Sequence, residues 1–164
     1  MAISRYVKMV KTTYAEIDRD TAENKVNKVL DIIDRNGGKV VNITHNNMGV
    51  GLSTVYWTFV IVYEAENEIP ASVFDDDKIS GDATRKSRYI KMVKTTYNEI
   101  KKDISDVTIN KVSEAITHSG GRVINITHDN MCVGMSTVYW VFVITYEAIS
   151  ELPLSCFASI TNKE

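Results

Sequence analysis

Between Arg5 and Tyr14 the run RYVKMVKTTY alternates apolar and polar side chains and is rich in Tyr, Val and Thr, which predicts a half-buried strand. The period then lengthens. Val26, Val29 and Ile33 recur at helical spacing, and Asp20 with Glu23 three residues on predicts a capping box at the helix start. Gly37 stands where a left-handed residue closes a helix. Alternation returns in KVVNITH (39–45) and STVYWTFVIVYE (53–64), which predict two more strands joined as an antiparallel hairpin. In the third strand Val55, Trp57, Phe59, Ile61 and Tyr63 share one face, the seat for the helix. The other face is assigned Tyr56, Thr58, Val60 and Val62. Tyr6, Lys8, Val10, Thr12 and Tyr14 join it from the first strand, and Val40, Asn42 and Thr44 from the second. Such a face is too apolar for open water and too polar for an oily core, so it calls for a cover.

The whole pattern occurs twice. SRYVKMVKTTYAEI at Ser4 returns as SRYIKMVKTTYNEI at Ser87, GGKVVNITH at Gly37 as GGRVINITH at Gly120, and STVYWTFVIVYEA at Ser53 as STVYWVFVITYEA at Ser136. Ile109, Val112 and Ile116 repeat the helix stripe. The register never slips, and roughly three-fifths of paired positions are identical, the mark of a duplicated supersecondary unit. The expected fold is α+β: a tandem β-α-β-β unit with antiparallel sheets and one helix packed on each. Repeat one spans 1–75, a charged linker 76–85, and repeat two 86–164. Three strands and one helix bury too little surface to stand alone, so the units should pack on each other, and the chain is expected to form a homo-oligomer.

Composition narrows the function by exclusion. Apolar content of 44% and charged content of 24% are globular values, and a net charge of -2 argues against a polymer nucleic-acid or anionic-membrane binder. No apolar run is long enough to span a membrane, and the first residues lack a signal-peptide core, so a cytoplasmic setting is expected. Cys132 and Cys156 stand where the other copy has Gly49 and Val73, which argues against a disulfide framework or a thiolate metal site. No cofactor or metal is expected.

The candidate chemistry lies on the duplicated hairpin. Asn47, Ser53, Thr54 and Tyr56, with Asn130, Ser136, Thr137 and Tyr139, place short donors and acceptors around a long connection from His45 to Thr54 that also holds a shared glycine, Gly51 or Gly134. His45 and His128 end the second strands, either as core-rim side chains or as hydrogen-bonding groups. Lys8 and Lys91, each near two tyrosines, suit a phosphate beside aromatic rings, or else serve as edge-strand charges. Read together they suggest a pocket, between repeats or chains, for a small anionic ligand of cyclic-nucleotide or ADP-ribose type. Two alternatives stand beside that reading: a protein-interaction or assembly module, and a hydrolase using both histidines.

The element order of each copy resembles that of the dodecins, small strand-helix-strand-strand oligomers, which implies a non-catalytic ligand store between chains. In size and expected assembly the chain is also similar to phage sponges that sequester immune signalling nucleotides, which would make it an antiviral-defence antagonist. Two histidines in two related lobes resemble the 2H phosphoesterases. His45-Asn46-Asn47 and His128-Asp129-Asn130 nevertheless lack the hydroxyl that the family's motif carries two residues after the histidine.

Overall fold

The computed structural model describes residues 2–50, 54–75, 86–133 and 137–161. Repeat one runs β1 (Ser4–Thr13), α1 (Tyr14–Asp18), α2 (Ala22–Arg35), β2 (Lys39–Val50), β3 (Thr54–Ala65) and α3 (Ala71–Asp75). Repeat two follows the same order: β4 (Ser87–Thr96), α4 (Tyr97–Lys101), α5 (Ser105–His118), β5 (Arg122–Val133) and β6 (Thr137–Ala148). A 3-10 turn (Leu154–Cys156) and α6 (Ala158–Thr161) close the described chain. The fold is α+β, with two three-stranded antiparallel sheets ordered β1-β3-β2 and β4-β6-β5. The expected linker at 76–85 lies outside the described residues.

Helix faces form as the spacing predicts. Val26, Val29 and Ile33 of α2 are buried on Trp57, Phe59, Ile61 and Tyr63 of β3, and Ile109, Val112 and Ile116 repeat the arrangement in α5. Gly37 and Gly120 take φ of +83° and +90°, as a left-handed helix stop requires. Gly38 answers a different need, close approach. A Cβ there would lie 2.7 Å from Ile33 Cγ2 and 3.2 Å from Tyr63 Cδ2, and Gly121 is equally tight against Ile116. Gly38→Ala should therefore lower stability by about 1–3 kcal/mol, the usual cost of overpacking, read as an earlier urea midpoint with unchanged slope.

Four expectations are corrected. First, the capping box does not fall at Asp20–Glu23. Asp20 has φ +58°, and the N-cap of α2 is Thr21, which makes no side-chain cap bond. The boxes sit on the short helices instead, at Thr13–Glu16 and Thr96–Glu99. Glu23 is drawn away because its carboxylate meets stronger partners, a buried ammonium and a backbone N–H of repeat two.

Second, the first strand turns the opposite set of side chains to the helix from the set its alternation predicts. The β1–β3 register sets Tyr6 opposite Tyr63, Lys8 opposite Ile61, Val10 opposite Phe59 and Thr12 opposite Trp57. Directly opposed residues point to one side, so these four join the helix face, and Val7, Met9 and Lys11 take the second face. Third, the register shifts between Val40 and Asn42. That bulge sends Val40 to the helix face with Tyr63, while Asn42 and Thr44 keep the second face. Fourth, the long connection from His45 to Thr54 is mostly strand. Ladder pairing continues through Asn47–Trp57 and Met48–Tyr56 to Val50–Thr54.

The repeats do not meet as mirror images. One core cluster joins Val10, Leu30, Ile33, Trp57, Phe59 and others of repeat one to Ile90, Met92, Met131, Val141 and Val143 of repeat two. Those five come from the second face of sheet two, so that face is buried against the helix side of sheet one. The other cluster, around α5, lies wholly within repeat two. The packing is head to tail.

Candidate functional site

The seam between the repeats has two ends. One is built on a geometrical match between α2 and the edge strand β4. Four residues of helix advance about 6 Å, and two residues of strand advance about 6.8 Å. A helix stripe at i, i+4, i+8 therefore keeps step with alternate groups of a strand edge. Glu23 Oε1 accepts from the Met92 N–H at 2.6 Å. Asn27 Oδ1 accepts from the Ile90 N–H at 2.7 Å, while its Nδ2 donates to the Ile90 carbonyl at 3.0 Å and to Glu151 Oε1 at 2.9 Å. Tyr89 Oη donates to Asp31 at 2.6 Å, and Ser87 Oγ to Asp34 at 2.8 Å. An edge strand that would otherwise offer unpaired backbone groups is thus closed by side chains.

Inside that row lies a buried ion pair. Lys91 Nζ stands 3.1 Å from Glu23 Oε1, with both side chains about one-twentieth exposed, and also lies over the Phe157 ring at 4.9 Å. Desolvation raises the Glu23 carboxyl to about 7, although Lys91 and the Met92 N–H pull the other way. Further along, Lys94 Nζ donates to Asp18 at 2.8 Å and lies over the Tyr139 ring. Beside these groups opens a cleft of about 500 Å³, lined from both repeats by Asp18, Asp20, Lys91, Lys94, Glu99 and Thr108 among others.

The other end of the seam gathers part of the predicted hairpin set. His45 lies opposite Phe59 on the helix face and stacks on Trp57 with ring centroids 5.1 Å apart. Its Nε2 is 2.7 Å from Thr127 Oγ1 of repeat two, and Asn47 Nδ2 donates to the Asn130 carbonyl. Burial lowers the His45 pKa, with Asp129 opposing and His128 adding to the shift, which favours the neutral ring. His45 Nδ1 and Trp57 Nε1 are buried with no protein hydrogen-bond partner. His128 holds the corresponding place over Trp140 in repeat two but is exposed.

The predicted residues do not converge on one pocket. Lys8 and Lys91 lie on β1 and β4, at the opposite sheet edges from His45 and His128, with one strand between them and so about 10 Å away. Lys8 lies over the Phe74 ring, and Lys91 is taken by Glu23. Tyr56 sits under Lys11, as Tyr139 does under Lys94. Thr54 and Thr137 open β3 and β6, while Ser53 and Ser136 lie outside the described residues. Cys132 and Cys156 are free thiols. The described residues include no cluster of three or more potential metal ligands, and no helix long and apolar enough to cross a membrane.

Asn27, Asp18 and Lys94 do not stand out in the sequence as seam residues, and Glu23 stands out there only as a helix cap. One signal was present: Asn27 and Asn110 are identical although most helix positions differ between the copies. No known protein-family pattern, curated protein or solved structure matches the chain.

Proposed function

We propose that the protein is a non-catalytic binder that sequesters a small, phosphorylated, nucleotide-like ligand at the seam between its repeats. The cleft of about 500 Å³ carries this reading, because its volume suits a ligand of that size and both repeats line it. Its walls bring Lys94 together with three acidic residues, Asp18, Asp20 and Glu99, while the Lys91 ammonium behind them is paired with Glu23. Such a set fits a molecule that is anionic at one end and offers hydroxyl or amino donors at the other, as a nucleotide does. Lys94 is the cation a phosphate would recruit. Its pair with Asp18 is partly solvent-exposed, and pairs of that kind hold each other weakly. A sponge for signalling nucleotides is the biological form of this reading.

Thermal melts with a panel of cyclic nucleotides and ADP-ribose test it. A ligand at 100 times its Kd stabilises the fold by about 2.7 kcal/mol, and heat-denatured protein should release it intact. Lys94→Gln should abolish the shift while leaving the unliganded melt near wild type. Absence of a shift across the panel defeats the proposal, and so does conversion of the ligand, which would restore the hydrolase alternative.

One observation favours a second reading, an assembly module. The second face of sheet two is buried, whereas the same face of sheet one lies open, with Val7, Met9 and Met48 exposed.

A further inference from the structure

We infer that the chain associates with copies of itself head to tail, repeating between chains the contact that already joins its two repeats. The inference rests on the assembly reading and needs no small ligand. Its basis is that each half of the internal interface has an unpartnered duplicate at the other end of the molecule.

On the receiving side of the internal contact, Glu23 and Asn27 are buried and Ile43 is 6% exposed. Their counterparts Asp106 and Asn110 are exposed, and Ile126 is 43% exposed. There, Ile109, Ile126, Trp140 and Phe142 line a largely apolar groove of about 450 Å³, with Asp106 and Asn110 on its rim. The corresponding place in repeat one is filled by the second face of sheet two. On the inserting side, Met92 and Met131 are 7% and 1% exposed, whereas Met9 and Met48 are 61% and 55% exposed. A groove and the side chains that fit its twin therefore stand open at opposite ends of one chain.

The polar row is duplicated as well. Asp106, Asn110, Glu114 and Thr117 repeat the spacing of Glu23, Asn27, Asp31 and Asp34. Ser4, Tyr6, Lys8 and Met9 on the β1 edge repeat Ser87, Tyr89, Lys91 and Met92. By the internal precedent, Asn110 of one copy takes the N–H and carbonyl of Val7 in the next, and Asp106 takes Lys8 and the Met9 N–H. Chemically the partner is specified: an edge strand with a lysine beside its free backbone groups. Two differences weaken the contact relative to the internal one. Lys101 replaces Asp18 and would face Lys11, and Ser113 replaces the buried Leu30. Because the contact uses two different surfaces, it grows into a ring if the rotation closes and into a filament otherwise.

Complementation of two variants tests this. Met48→Glu blocks the inserting end and Ile126→Glu the receiving end. Both residues are exposed in the isolated chain, so each variant should keep the wild-type circular dichroism and melt. Light scattering on a sizing column should show wild type as a multimer, each variant alone as a monomer, because every contact needs one intact end of each kind, and their equimolar mixture as a dimer. An interface pairing identical surfaces would instead leave one variant fully assembled, or the mixture unrestored. Either result overturns the head-to-tail inference while leaving the assembly reading in place. Monomeric wild type across the concentration range defeats both.

Discussion

Lys91→Met should make the protein lose stability with rising pH above neutrality, where the parent does not. Lys91 is the ammonium that opposes the desolvation of Glu23, and even with it the folded carboxyl stands at about 7 against an ordinary value of 4.5. A group with a raised folded pKa binds more protons folded than unfolded between those two values. Stability from it therefore falls as pH climbs from about 4.5 to about 7 and levels off beyond. Removing a counter-charge at this distance moves a carboxyl up by about 1–3 units, and each unit corresponds to about 1.4 kcal/mol. In the variant the decline continues past pH 7, so that near pH 9 it is about 1–4 kcal/mol less stable than the parent. At pH 5, with the carboxyl protonated in both, the gap closes. Urea unfolding at a series of pH values measures this directly. Glu23→Gln/Lys91→Met should flatten the dependence, because replacing both members of a buried pair is far less disruptive than leaving one behind. A gap between Lys91→Met and parent that is the same at pH 5 and pH 9 would mean that the pair is not what holds Glu23 ionised.

Where this seam could be read in advance, and where it could not, follows from what a strand's own alternation encodes. Trp57, Phe59, Ile61 and Tyr63 declare one face by spacing alone, and they form the core as expected. The phase of β1 relative to β3 is another matter. It depends on which residue pairs with which, and the Val10–Phe59 register is set by both strands and their connection. Parity carried across strands without a register puts Lys8 and Val10 on the side away from Phe59, whereas the register puts them beside it. The shift between Val40 and Asn42 breaks parity within a single strand, and no residue type announces it. Most of the seam was hidden for a third reason. Glu23, Asn27, Asp31 and Asp34 look like the solvated side of an amphipathic helix, because polar side chains that satisfy a strand edge have the same composition as those that satisfy water. Only the persistence of asparagine at 27 and 110 set one of them apart. The duplication itself was fully legible, yet it did not disclose that identical segments would have different surroundings.

That difference gives the sharpest pair of expected results. Asn27→Leu should cost about 3 kcal/mol of stability, since it strands the N–H and carbonyl of Ile90 in a buried seam, at about 1–3 kcal/mol for each unpaired group. It also removes the donor to Glu151, a half-buried carboxylate whose pKa is already raised by desolvation. Asn27→Asp should cost at least as much at neutral pH, because it keeps the acceptor for the Ile90 N–H but turns a buried carboxylate oxygen onto the Ile90 carbonyl and Glu151. Asn110→Leu, the same change at the corresponding place in α5, should leave monomer stability within about 0.5 kcal/mol, as exposed helix substitutions usually do. Denaturant midpoints at low protein concentration compare the two. Raising the concentration then reverses the emphasis: Asn110→Leu should reduce self-association on a sizing column, because the Val7 backbone of the next copy would lose its partner. If Asn110→Leu lowers monomer stability as much as Asn27→Leu does, then α5 already has a partner within its own chain, and the open end of the molecule is not open. If it alters neither stability nor association, the β1 edge is closed by something other than α5. The two asparagines hold the same place in their repeats and face different surroundings, so the comparison separates what folds the chain from what joins one chain to the next.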